Sequence, residues 1–494
     1  MTFTHRQTLA LKAFYLLLAT VTLYALFQRR TYDDPFITYR YVENLRHGAG
    51  FVYNPGEHFQ STTTPLFTLL LALLSPVWGN LPRLANLIGV LSLAAGALLL
   101  WELAAAWKAP WAGWASLLLY PLFPLAITPL GSETPLYIAF CLGAFTAYVR
   151  KRYRLTAVCA ALAVLTRPDG LLVGMILAAD YAIRYFREKR EIPQWNVILL
   201  FVFILLPWFI FAWVYFGSPL PATLAVKQQQ GAMAVSQRFA QGFLTILGWY
   251  KSWRYGLEAV LALLGCGWML WRARQWLLFL AWPVLYFAAF SILGVSRYFW
   301  YYTPLVPGFL VLSGLGLQAI TGLRWVTPPS LKKYIPTCKA QRLKVPIQPA
   351  HILAAVILAV LCLAQARSLP RLRQPDTRYA IYRAAGEWLA AHTAADAAVG
   401  VLEVGILGYY ARRPMVDFAG LLQPKVAAQL SVGANYEHAA LWAVEYYQPQ
   451  YLVLFPGDFP QLEQGYVAQR CLLTETFTGQ QFGYGKDLAV FDCR

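Results

Sequence analysis

The chain has 494 residues, 59% of them hydrophobic and 13% charged, with 41 Lys plus Arg against 23 Asp plus Glu and a formal net charge of +18. A disordered or collagen-like chain would carry far fewer large apolar residues. A soluble nucleic-acid binder would need a hydrated basic surface that this composition cannot cover, so no nucleic-acid partner is expected. Mean hydropathy is +0.47, and what remains is an integral membrane protein whose few charges sit in loops.

From the N-terminus, the clearest apolar runs are Leu9–Phe27, Trp195–Phe216, Leu257–Trp271, Leu277–Leu293, Tyr301–Leu323 and Ile352–Ala366. The first lacks a small-residue cleavage site and reads as a retained helix. Between Thr62 and Ala182 come shorter runs broken by Pro82, Pro110, Pro121, Pro124, Pro129, Pro135 and Pro168. Membrane helices tolerate proline where neighbours satisfy the freed backbone groups. At roughly twenty residues per crossing, the chain makes about eleven net crossings.

Basic residues set the orientation. The clusters are Arg6 with Lys12, Arg150 to Arg154, Arg184 to Arg190, Arg272 with Arg274, and Arg324 to Lys344. If these are cytoplasmic, the external segments are residues 28–60, the turns 131–135 and 167–170, residues 217–255 and 294–300, and the tail from Arg367. Thr62–Trp78 and Leu84–Trp107 look like two passes where the charges want one, so one of them is expected to be partial or re-entrant.

After Arg367 the charge and turn content rise. Tyr379–Ala391 has helical spacing; Ala398–Val404, Met415–Phe418 and Tyr451–Phe455 look like short buried strands, and His438–Tyr447 like a helix between strands. This predicts a membrane domain over 1–367 and an α/β domain over 368–494. No internal repeat is evident, which weakens a secondary-transporter reading. Cys141, Cys159, Cys266 and Cys362 lie in apolar stretches as small hydrophobes, and Cys338 in a basic loop. Cys471 and Cys493 can pair if the tail lies in an oxidising compartment.

The chemistry is expected in the external turns. Asp33 and Asp34 lie just beyond the first helix. Adjacent helical residues do not share a face, so one acid is expected to aim at a reacting group and the other to hold structure or a cation. A carboxylate against an apolar wall gains proton affinity, which suits a general base. The plainer reading is two acids ending a helix in water. Glu133, in Ser132-Glu133-Thr134-Pro135, and Arg167 with Asp169, in Thr166-Arg167-Pro168-Asp169-Gly170, also fall between apolar segments on the same inferred side. Ionisable residues so placed tend to line functional cavities. The alternatives are a helix-start acid for Glu133 and a local ion pair for Arg167 with Asp169. Lys227, and Arg297 in Ser296-Arg297-Tyr298-Phe299-Trp300, suit a lipid phosphate or ordinary headgroup contact.

The pattern Asp33-Asp34-x-x-Ile37-x-x-Arg40-Tyr41-x-x-Asn44, followed by Gly48-x-Gly50-x-Val52-Tyr53-Asn54-Pro55-Gly56-Glu57, resembles the first external loop of bacterial GT-C glycosyltransferases. Among them it is most similar to mycobacterial-type arabinofuranosyltransferases that use a polyprenyl-phosphate sugar. The Ser132–Leu136, Thr166–Gly170 and Gly217–Pro221 turns, with Gly405-x-x-Gly408-Tyr409-Tyr410 and Val416-Asp417-x-x-Gly420-Leu421, are similar to later motifs of that group. The resemblance implies a GT-C fold with an extracytoplasmic α/β domain in the bacterial plasma membrane. It implies inverting transfer of a sugar, arabinofuranose first, from a polyprenyl-phosphate donor to an acceptor glycan or lipid hydroxyl. Asp33 matches the usual base position, with Asp34 as the adjacent acid, and Glu133 lies near a sugar. Arg40, Arg167, Asp169, Lys227 and Arg297 complete the expected donor and acceptor contacts. No Gly-rich phosphate loop opens a helix. Two adjacent acids do not make a metal site, so no metal is expected to be obligatory, though some relatives use a divalent cation. The rivals are a hexose transferase of the same fold, mannose among them, a lipid or sugar transporter, and a non-catalytic scaffold.

Overall fold

The computed structural model describes residues 4–188, 194–322 and 348–494. The end of the basic cluster at 189–190, the basic loop 324–344 and Cys338 lie outside the described residues. Among the described residues, six helices are long and apolar enough to cross a membrane: Arg6–Phe27, Leu81–Ala106, Trp195–Phe216, Arg274–Leu293, Phe299–Gly322 and Pro349–Ala366. Leu257–Trp271 also forms a helix, Trp253–Arg272. The chain is a polytopic helical membrane protein carrying a small C-terminal sheet domain.

Most prolines of the crowded stretch begin helices and do not interrupt them. Pro65, Pro82, Pro110, Pro124 and Pro135 each occupy a first-turn position. There the missing N–H costs nothing, and the fixed φ already suits the helix. Of the two adjacent apolar runs, the first is a helix of only 10 residues, Pro65–Leu74. That is about 15 Å, half the hydrocarbon core. The second, Leu81–Ala106, has 26 residues. Thr134–Val149 and Tyr153–Thr166 form a hairpin through the Arg150–Arg152 turn. Trp253–Arg272 and Val306–Gly322 pack at backbone contact: a Cβ on Gly316 would lie 2.0 Å from the Leu261 carbonyl oxygen. Small residues let helices approach this closely where no hydrophobic drive between them exists. At the end of the bundle carrying the basic clusters, Glu102 takes ion pairs from both Lys12 and Arg150.

The C-terminal domain is a five-stranded mixed sheet. Its strands are β1 Val399–Val401, β2 Met415–Asp417, β3 Tyr451–Leu454, β4 Leu472–Phe477 and β5 Leu488–Asp492, in the order β2-β1-β3-β5-β4. β1 is parallel to β2 and β3, and β5 is antiparallel to β3 and β4. The first three strands are buried throughout, so they read as continuous apolar runs. Cys471 and Cys493 are disulfide-bonded beside the β4–β5 pair.

The first loop does not stand apart from this domain. Residues 34–46 form a helix, Asp34–Arg46. Phe36, Tyr39, Tyr53, Ile381, Leu389, Val399, Ile406 and Val453 belong to one hydrophobic cluster spanning loop and domain. Two pairs of polar contacts fix the join. Asn54 donates to the Met415 carbonyl at 2.9 Å and accepts from its N–H at 2.9 Å. Asp376 N–H donates to the Thr31 carbonyl at 2.9 Å, and Tyr53 Oη to that of Val404 at 2.6 Å.

Candidate functional site

Asp33 and Asp34 behave differently. Asp33 precedes the helix Asp34–Arg46, and both its carboxylate oxygens are occupied: Oδ1 accepts from Ile406 N–H at 2.8 Å, and Oδ2 from Gly405 N–H at 3.0 Å. It thereby caps the helix Gly405–Ala411 of the C-terminal domain. The motif Gly405-x-x-Gly408 has its reason here: a Cβ on Gly405 would sit 2.1 Å from the Asp33 carbonyl oxygen. Burial, then the nearby Glu403, raises the Asp33 carboxyl above its ordinary range, against the Ile406 N–H, which lowers it.

Asp34 is 36% exposed, and its carboxylate faces Lys227, whose side chain is only 5% exposed, at 3.9 Å. Lys227 lies on the helix Thr223–Gly231. Its ammonium has no hydrogen-bond partner and rests 3.8 Å from the centroid of the Tyr298 ring. A buried ammonium that makes no hydrogen bond is costly, and the loose ion pair with Asp34 leaves its donors free for an anion.

Asp34 and Lys227 stand where two cavities meet, together with Tyr32, Ile37, Trp300 and Leu421. The first cavity, about 360 Å³, reaches Thr62–Thr64, Glu133, Arg167, Asp169, Pro221 and Tyr301. Leu220, Leu224 and Leu293 also line it and are substantially exposed, giving it an apolar rim. The second, about 300 Å³, reaches Asp33, Arg297, Asp376, Arg378, Glu403 and Tyr436.

In the first cavity Arg167 is gripped on several sides. It pairs with Asp169 through Nε–Oδ1 at 3.0 Å and Nη2–Oδ2 at 3.1 Å. Its guanidinium lies between the Tyr137 and Tyr301 rings, 5.1 and 5.4 Å from their centroids. Glu133 Oε1 is 3.7 Å away. Glu133 precedes the helix Thr134–Val149 without making a side-chain cap, and burial raises its carboxyl above the ordinary range, against Arg167. The local ion pair and the cavity wall are therefore the same structure.

Arg297 lines the second cavity and donates to Gln237 Oε1 at 3.1 Å. Arg40 lines neither. It is buried on the same helix as Asp34, but six residues at 100° each turn it about 240° away.

Sequence reasoning missed Arg378 and Asp376. Arg378 bonds Asp376 through Nε at 3.1 Å and pairs with Glu403. The only signal was an acid and a base two residues apart in a charged tail. Asp417 and Tyr409, from the two C-terminal motifs, serve the fold. Asp417 accepts from the N–H groups of Ala419, Leu421 and Leu422 at 2.8, 2.6 and 3.2 Å, and Tyr409 packs its ring against Phe36 and Tyr39. Among the described residues, no three His, Cys, Asp or Glu side chains gather as a metal-holding group.

This bundle, with its first loop built into a C-terminal α/β domain, has the GT-C architecture. Over 99% of its length, and 99% of the other chain, it superposes on the crystal structure of ArnT from Cupriavidus metallidurans bound to undecaprenyl phosphate, with a TM-score of 0.63 and 14% identity. It also resembles the oligosaccharyltransferase of Archaeoglobus fulgidus, covering 93% of this chain and 70% of that one at a TM-score of 0.56 and 15% identity. The archaeal oligosaccharyltransferase AglB from Archaeoglobus fulgidus, in complex with an inhibitory peptide and a dolichol-phosphate, gives a TM-score of 0.55 at 15% identity over 92% of this chain and 70% of that one. Residues 371–491 match a family described as a domain of unknown function (DUF8728). No curated protein matches the sequence.

Proposed function

We propose that the protein is a membrane glycosyltransferase that moves a sugar from a polyprenyl-phosphate donor to an acceptor hydroxyl, with arabinofuranose as the first sugar to test. The observation that carries this reading is Asp34 opposite the buried Lys227, whose ammonium makes no hydrogen bond, at the junction of two cavities. The first cavity, with its exposed leucine rim, suits a donor entering from lipid. The second, with Arg378, Glu403 and Tyr436, suits a polar acceptor. Two structures of the same fold are described with a polyprenyl-type phosphate, which supports the donor class.

The reaction follows from that placement. Asp34 takes the proton of the acceptor hydroxyl. The acceptor oxygen bonds to the anomeric carbon as the bond from that carbon to the phosphate oxygen breaks. Polyprenyl phosphate leaves with the electron pair, and a single displacement inverts the anomeric centre. Lys227, held by Tyr298, neutralises the leaving phosphate. Arg167, paired with Asp169, shapes the wall of the donor cavity, while Asp33 holds the loop to the C-terminal domain so that Asp34 is aimed. The basic clusters and the Cys471–Cys493 disulfide favour an extracytoplasmic site and domain in a bacterial plasma membrane. No metal is obligatory in this scheme, and turnover should survive a chelator.

The test is transfer by the purified protein with a panel of polyprenyl-phosphate sugars, arabinofuranose and mannose first. One donor should give turnover that falls about 10²- to 10⁴-fold in Asp34→Asn. Undiminished turnover in Asp34→Asn removes it as the base. No transfer from any donor, with Asp34 variants neutral in cells, would favour a scaffold.

A further inference from the structure

The helix Thr223–Gly231, which carries Lys227, is held by three other parts of the chain. Thr223 Oγ1 donates to the Ser61 carbonyl of the first loop at 3.0 Å. The Lys227 carbonyl accepts from Ser296 N–H at 2.9 Å, and a Cβ on Gly231 would lie 2.5 Å from the Gly294 carbonyl oxygen. The third contact is made by Gln230, which is 1% exposed and lines the second cavity. Its Nε2 donates to the Ala419 carbonyl of the C-terminal domain at 3.0 Å. Its Oε1 accepts from Tyr298 Oη at 3.0 Å. A carbonyl can only accept, so the Ala419 end fixes which way the amide lies and leaves its oxygen for the hydroxyl.

The motif Val416-Asp417-x-x-Gly420-Leu421 supplies that carbonyl. The Asp417 carboxylate binds the turn from within through the N–H groups of Ala419, Leu421 and Leu422. Gly420 takes a φ of +78°, and a Cβ there would lie 2.7 Å from the Ala427 Cα. The turn is therefore a fixed platform that presents Ala419 to Gln230. At the other end of the link is the Tyr298 ring, on which the Lys227 ammonium rests. That ammonium stands 3.9 Å from the Asp34 carboxylate, where an unrestrained pair would close to about 2.8 Å. The ring competes for the cation through its electron-rich face, from the position that its hydroxyl bond sets.

We propose that Gln230 is a positioning residue: it couples the C-terminal domain to Tyr298 and so keeps the Lys227 ammonium off Asp34 and open to the donor phosphate. This rests on the reading of Lys227 as the phosphate contact. Gln230 itself touches no reacting group. Removing its amide, or the Tyr298 hydroxyl, frees the ring; Lys227 then closes on Asp34, and the phosphate loses its cation. The C-terminal motif thereby acts on the donor site from the far side of the second cavity, through one backbone carbonyl.

The test is binding of farnesyl phosphate, and of farnesol, which lacks the phosphate, to the full-length protein in detergent by isothermal titration calorimetry. The wild type should prefer farnesyl phosphate, and Lys227→Met should abolish the preference. Gln230→Met and Tyr298→Phe should each lower affinity for farnesyl phosphate about tenfold and leave that for farnesol unchanged. The double variant should lose no more than the larger single loss, since both changes break one link. A purely structural role would weaken both ligands together, and that result overturns the proposal. So does a wild-type preference kept by both variants, or losses that multiply in the double variant; either leaves the glycosyltransferase reading standing. A wild type with no preference would instead remove Lys227 as the phosphate contact, and the coupling falls with it. Should Gln230→Met fail to fold, Tyr298→Phe decides.

Discussion

Two adjacent carboxylates with the same intrinsic chemistry are separated here by what each finds within 4 Å. Asp33 meets two backbone N–H groups of another domain, and Asp34 meets a buried ammonium across a cavity. A carboxylate that fills its acceptor capacity with fixed donors is poorly placed to collect a substrate proton. Asp33→Ala is therefore expected to act on stability. It strands two N–H groups at the start of Gly405–Ala411 and should cost about 1–3 kcal/mol. Chemical denaturation in detergent reads this directly. A variant with unchanged stability but no turnover would return the base to Asp33, the position the sequence motif favoured.

At the scale of elements, the helix Gly405–Ala411 is held against the first loop by contact that leaves no room for a methyl group. Gly405→Ala should force the helix off Asp33 and destabilise the protein by about 1–3 kcal/mol. Gly465→Ala, where the added carbon meets nothing within 4 Å, is the control and should be near neutral in the same denaturation assay. The disulfide is the other tie at this scale. Cys471 and Cys493 are 22 residues apart, and closing a loop of that size is worth about 3 kcal/mol. Cys471→Ser should lower the unfolding midpoint accordingly, and reductant should do the same to the wild type and not to the variant.

Across the whole molecule, two half-buried acids, Asp33 and Glu403, lie at the seam between the membrane bundle and the sheet domain, with Arg378 paired to Glu403. Burial raises both carboxyls; for Glu403 it outweighs the opposing Arg378. The folded state thus holds protons that the unfolded chain would release. Its contribution to stability is complete below the ordinary carboxylate pKa, about 4, and is lost as pH rises through the raised values. Melting midpoints between pH 5 and 8 should fall more steeply with rising pH in the wild type than in Glu403→Gln. Parallel curves would show that the pair takes up no proton on folding.

Membrane class, the clearest apolar helices, the helix over 379–391 and the three buried strands were legible in the sequence. Each depends on a local property: run length, period, or the turn-forming residues between runs. β4 was missed because Leu472 and Leu473 are exposed and the strand shows no buried alternation. β5 was missed because only its partners β3 and β4 reveal it. The helix Asp34–Arg46 was read as part of a loop because much of what its apolar residues pack on, Ile381, Val399 and Ile406, lies more than three hundred positions away. The sequence by itself determined that Asp33 and Asp34 are expected to meet different surroundings, since neighbours on a helix point apart. What each acid meets was decided only by the fold, because the donors that occupy Asp33 and the ammonium that faces Asp34 come from residues 405, 406 and 227. No local rule connects those positions; they meet through the packing of the C-terminal domain onto the first loop.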